Sequence, residues 1–215
     1  MKKSVYSLML FDEIVEKIDQ LAYENNTNLS QLINDILAEK IGLETPEQQV
    51  QKILEQLDQN LSDTLSVSQI NKNSSIQFGK SLKYKYRPKV RYSYEFVNDN
   101  GQKYAVLKVS SRTKSEDLNE HFDQFFQKIC NIERKNNEVD DKDSEHLTNH
   151  KFIREFKENG AVQNGVSTVT NFLTEYLRMI DSAMNLYFES NEDENLDQEL
   201  EELYGQFLGN PRPKK

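Results

Sequence analysis

The order of apolar and polar residues divides the chain into segments of different period. Residues 4–10 alternate, with Tyr6, Leu8 and Leu10 on one face and Val5, Ser7 and Met9 on the other, which predicts a strand. Helical spacing follows. Ile14, Val15, Ile18, Leu21 and Ala22 recur at three and four, which predicts a helix from about Asp12 to Glu24. Asn25, Asn26, Thr27 and Asn28 then compete for backbone hydrogen bonds and break it. Asn28 or Ser30 can cap a second helix, whose stripe is Leu29, Leu32, Ile33, Ile36, Leu37 and Ile41. Gly42 stands where a glycine ends such a helix.

Further along, Thr45, Pro46 and Gln48 form a helix start, and Val50, Leu54, Leu57 and Leu61 follow at heptad-like spacing. That helix can serve as a neck that continues a dimer, or it can pack on its own C-terminal part. Residues 62–79 are rich in Ser, Asn, Asp and Gln and read as a linker. Residues 80–112 read as a hairpin. The alternating run 82–87 leads to Pro88, the strand 90–97 follows, Asn98–Gly101 is the turn and Tyr104–Val109 the return strand. Ser115 caps a helix with the stripe Leu118, Phe122, Phe125, Ile129 and Ile132. Residues 133–146 read as a charged linker, and Phe152–Phe156 as a helical piece. The longest amphipathic stripe runs from about Ser167 to Glu189, and a short helix is expected around Leu196–Tyr204 in an acidic tail.

One strand and two helices in about forty residues cannot bury their apolar faces within one copy. The stretch has no cysteine and no histidine, so oligomerisation is the stabilising device that remains. The pieces VYSLML, FDEIVEKIDQLA and NNTNLSQLINDILAEKIG resemble the ribbon-helix-helix DNA-binding proteins of the MetJ, Arc and CopG type. The resemblance implies an obligate homodimer whose two-stranded ribbon enters the major groove. By that match Val5, Ser7 and Met9 face base edges, Val5 and Met9 toward thymine methyls and Ser7 with its hydroxyl. Phosphate contacts fall to Lys2 and Lys3 and to the start of the second helix at Asn28, Leu29 and Ser30.

The expected fold class is therefore α+β and helix-rich. It comprises an N-terminal ribbon-helix-helix dimerisation module (1–43), a helical neck and linker (44–79), a β-hairpin/helix unit (80–135), C-terminal helices (147–190) and an acidic tail (191–215).

Composition refines this picture. A hydrophobic content of 36% against 29% charged residues in 215 suits small modules joined by solvated segments. The single cysteine, Cys130, permits no intramolecular disulfide and reads as a small buried apolar residue. No signal peptide and no membrane span is expected, which points to a cytoplasmic protein.

The net charge of −9 is unevenly distributed: residues 79–114 contain 10 basic and 2 acidic residues, and residues 136–215 contain 8 and 17. Within the basic stretch, Lys83, Lys85, Arg87, Lys89 and Arg91 interleave with Tyr84, Tyr86, Tyr92 and Tyr94. This is a candidate secondary nucleic-acid contact, charge for phosphate and rings for stacking. A half-exposed hairpin with protective edge lysines has the same pattern, and so has a basic face docked on the acidic C-terminal region.

Catalytic constellations are missing from the sequence. His146 and His150 are four apart beside Glu145, too few ligands for zinc, and no phosphate-binding glycine loop occurs. No enzyme, cofactor or metal is expected. The sequence points to a dimeric DNA-binding protein of the transcriptional-regulator kind, with a further protein-partner surface in the C-terminal part. The alternative is a protein-interaction role in which the N-terminal module only assembles the dimer.

Overall fold

The computed structural model describes residues 4–71, 74–99, 102–138, 147–148, 150–157, 165–190 and 195–209. The chain forms two compact units, Met1–Lys52 and Ile53–Lys215.

The first unit contains α1 (Asp12–Glu24), α2 (Leu29–Lys40) and the start of α3 (Pro46–Leu61). The apolar periodicity places α1 and α2 where they are found, and local chemistry ends them. Asn26, at φ 51°, closes α1 with Asn26 N–H to Tyr23 O and Thr27 N–H to Ala22 O. Gly42, at φ 72°, closes α2 the same way, with Gly42 N–H to Glu39 O and Leu43 N–H to Ala38 O. The reciprocal cap of α3 also forms: Thr45 N–H donates to Gln48 Oε1, and Gln48 N–H to Thr45 Oγ1. Thr45 Oγ1 then donates to Asp35 Oδ1 at 2.6 Å, tying this cap to α2.

The structure overturns the expected fold class. Residues 4–11 form no strand, so the ribbon is not seen. Alternation supplies the right faces, but a strand exists only through its ladder partner, and among the described residues no segment pairs with residues 4–11. The β structure instead lies mid-chain and exceeds a hairpin. It comprises β1 (Ser66–Asn71), β2 (Ser75–Ser81), β3 (Lys89–Asp99), β4 (Gln102–Ser111), β5 (Leu147–Thr148) and β6 (Lys151–Lys157). These form one antiparallel sheet in the order β1-β2-β3-β4-β6-β5.

Two segments change type. Residues 62–79, read as a linker, contain β1 and all but the last two residues of β2, because Ile76 and Phe78 alternate into the core. Phe152–Phe156, read as helical, is β6. A spacing of four is even, so it keeps both rings on one strand face as well as on one helix face.

Helices α4 (Glu116–Lys135), α5 (Val166–Glu189) and α6 (Leu196–Leu208) complete the second unit. Ile76, Phe78, Tyr92, Tyr94, Leu107, Val109 and Phe152 are buried, and in the sheet register they share one face. Tyr94 reaches α5 through a 2.8 Å bond to Leu173 O, and Tyr92 through a 2.9 Å bond to Asp181 Oδ1. The neck-like stripe of α3 belongs to this unit: Leu54, Leu57 and Leu61 are buried, and Arg178 of α5 donates to Asn60 O at 2.7 Å. No helix among the described residues is long and apolar enough to cross a membrane.

A polar cluster lies inside this core. Glu133, fully buried in the last turn of α4, accepts from Tyr176 at 2.8 Å, Tyr204 at 3.4 Å and Arg154 Nε at 3.3 Å, all through Oε1. Arg154 also donates to Glu138 O and Glu155 O. Burial, then the Glu133 charge, pushes the Tyr176 phenol well above its ordinary value.

Cys130 is buried one turn earlier, and burial followed by Glu133 pushes its thiol up from 9.0 to about 11. The folded chain holds this proton more tightly than the unfolded chain. The stabilisation is therefore full below pH 9 and is lost as pH rises through about 11. Cys130 is expected to resist a disulfide reagent at pH 8 and to react stoichiometrically once denatured. Rapid labelling of the native protein would contradict its buried placement.

Candidate nucleic-acid interface

In the N-terminal unit the extended residues carry their side chains into solvent. Val5 is 99% and Met9 101% exposed, and Ser7 is exposed as well. The opposite face, Tyr6, Leu8 and Leu10, is also exposed, as is Phe11. Lys2 and Lys3 lie outside the described residues. Asn28 is the N-cap of α2, its side chain accepting from Gln31 N–H at 2.9 Å. Asn28 and Ser30 are exposed and Leu29 is half-buried, so the helix start faces solvent with its amide dipole available to an anion.

This unit has no core of its own. Among its described residues just Ala22, Ala38 and Thr45 are buried, while Ile14, Leu21, Ile36, Leu37, Ile41 and Leu43 are exposed.

In the second unit, Lys83, Lys85 and Arg87 lie on the loop between β2 and β3, Lys89 opens β3 and Arg91 follows within it. The run 82–87 is not a strand. Leu82 and Pro88 are buried and joined by Leu82 N–H to Pro88 O at 2.9 Å, which pinches the loop and leaves Lys83, Lys85, Tyr86 and Arg87 exposed. Tyr84 turns inward, its ring 5.2 Å from that of Phe188. Lys83, Leu82, Ser81, Tyr84 and Arg87 line a surface hollow of about 520 Å³.

The sheet adds two cations that the linear pattern did not single out. Val90 pairs with Ser111, and Arg112 N–H bonds Lys89 O at 3.0 Å, so exposed Arg112 and Lys114 reach the end of the sheet that carries Lys85 and Arg87. In sequence, Asn98–Gly101 reads as a turn, and counting back from it could have found them. Asn100 and Gly101 themselves lie outside the described residues.

The acidic C-terminal helices do not neutralise this end. Their ion pairs go to Lys128 (Asp197, 2.5 Å), Lys135 (Glu201, 2.7 Å) and Lys80 (Asp181, 2.5 Å). Lys83 meets Glu189 at 3.9 Å, with both side chains more than half exposed. Among the described residues, no carboxylate comes within ion-pair distance of Lys85, Arg87, Lys89 or Arg91.

His150 is exposed and contacts Asp123 at 2.6 Å, and His146 lies outside the described residues. No cluster of three or more His, Cys, Asp or Glu side chains suited to a metal occurs among the described residues. No family model, no curated protein and no solved structure matches the chain.

Proposed function

We propose that the chain acts as a homodimer that binds DNA through its N-terminal unit, as a transcriptional regulator does. The carrying observation is the uncovered apolar surface of that unit, from Val5 to Phe11 and along α1 and α2, with almost nothing buried beneath it. A polypeptide of that size with two buried alanines as its apolar interior lacks the hydrophobic area to fold alone. A second copy supplies the missing cover, because a two-fold interface places one patch against itself and both sides are apolar.

DNA as ligand is supported by the resemblance of the α1–α2 spacing to the ribbon-helix-helix family and by the exposed start of α2. Amides at Asn28–Ser30 serve a phosphate, and Ser7 serves a base edge, with Val5 and Met9 beside it.

The test combines solution mass with selection of bound fragments from a random duplex library. The expected result is a dimer that enriches a sequence, lost in Ser7→Ala/Met9→Ala, and a monomer in Leu37→Glu. A monomeric parent protein would overturn the proposal. A dimer that enriches no sequence would overturn its DNA part and leave assembly as the role of this unit.

A further inference from the structure

Tyr86 occupies a position that nothing in the packing explains. It is 99% exposed. It is the third residue of a turn closed by Arg87 N–H to Tyr84 O at 2.9 Å, and its φ is 64°. Glycine is usual at that turn position, because a side chain there is strained. Arg87, next in line, is also left-handed at φ 44°. The loop thus holds an aromatic ring in solvent at a place where the backbone favours no side chain. Lys85 and Arg87 flank the ring, and Lys89, Arg112 and Lys114 stand at the same end of the sheet.

We propose that this loop end is a second binding site, for single-stranded nucleic acid, with Tyr86 as a stacking platform and Lys85, Arg87 and Lys89 on the phosphates. Phosphodiester explains the cations, since binding gains from counterion release wherever lysine and arginine meet phosphates. A base explains the ring, because every base offers a π-face and stacking needs no cavity. A membrane surface fits less well. The loop's aliphatic residues, Leu82 and Pro88, are buried, which leaves one ring and no apolar side chain to enter hydrocarbon. The site lies on the second unit and is independent of the N-terminal reading.

The full-length protein is titrated into fluorescein-labelled oligothymidylate, and anisotropy is followed at several salt concentrations. The parent is expected to bind. Lys85→Ala/Arg87→Ala/Lys89→Ala is expected to lower the slope of log affinity against log salt by about 2. Tyr86→Gly suits the backbone, so its melting temperature is expected to hold or rise while affinity falls about tenfold, and Tyr86→Phe is expected to restore binding. Ser7→Ala/Met9→Ala is expected to leave this binding intact, which separates it from the N-terminal site. Triple-variant affinity within twofold of the parent, or an unaffected Tyr86→Gly, would overturn the proposal. So would loop-dependent capture by phosphatidylserine vesicles without oligonucleotide binding.

Discussion

Replacing Glu133 with alanine is expected to lower the melting temperature by roughly 6–20 °C, from a loss of about 3–5 kcal/mol at roughly 2–4 °C per kcal/mol for a chain of this size. The side chain is fully buried at the end of α4, and its Oε1 accepts from Tyr176, Tyr204 and Arg154. Removing it leaves Arg154, a residue 9% exposed, without its counter-charge, and Tyr176 and Tyr204, each 1% exposed, lose an acceptor. Carbonyls of Glu138 and Glu155 still satisfy other Arg154 hydrogens, so the loss is chiefly electrostatic.

The cluster is not fully satisfied, since Glu133 Oε2 has no hydrogen-bond partner among the described residues. Removing both charges is therefore far milder than removing one, and Glu133→Leu/Arg154→Met is expected to recover most of the loss. Thermal denaturation followed by circular dichroism reads both variants. A shift below about 2 °C for Glu133→Ala would show that the charge is not enclosed as described.

Phe152→Ala is expected to cost about 3–5 kcal/mol, read from urea denaturation. Phe152 is fully buried on β6, and its ring stacks on Phe126 of α4 at 4.6 Å with 7° between planes. Its neighbour Lys151 is exposed on the other face of the strand, so Lys151→Ala is expected to stay within about 0.5 kcal/mol. Comparable losses at both positions would contradict the strand.

The same pair of residues marks where the sequence stops being readable. Phe152 and Phe156 are four apart, which satisfies a helix and a strand equally, and only the ladder to β4 resolves it, with Val109 opposite Phe152 and Ala105 opposite Phe156. β1 was illegible for a related reason. Its residues are mostly polar and, apart from half-buried Val67, exposed because it is an edge strand, held by backbone bonds to β2, and such bonds leave no side-chain pattern. The long helices were legible because one face of each repeats over several turns, as in α4 and α5.

Of the nucleic-acid residues, the basic run and its tyrosines were visible in order, and Tyr84 and Tyr86 looked alike. The pinch between Leu82 and Pro88 separates them, sending Tyr84 to Phe188 and Tyr86 to solvent. Glu133 was read as part of a charged linker, since it heads the run ERKNNEVDDK. Its partners Arg154, Tyr176 and Tyr204 lie 21, 43 and 71 residues away, beyond any local pattern.

By itself the sequence determined what short-range physics controls: the periods of α1, α2, α4 and α5, the stops at Asn26 and Gly42, the reciprocal cap at Thr45 and the uneven charge. Those features depend on neighbours within a few residues, so they are written in order along the chain. Tertiary structure alone decided which alternating segments became strands. Residues 4–10 alternate and form no strand among the described residues, whereas the mostly polar segment 66–71 is paired, because a strand's hydrogen bonds are completed by another segment and not by itself.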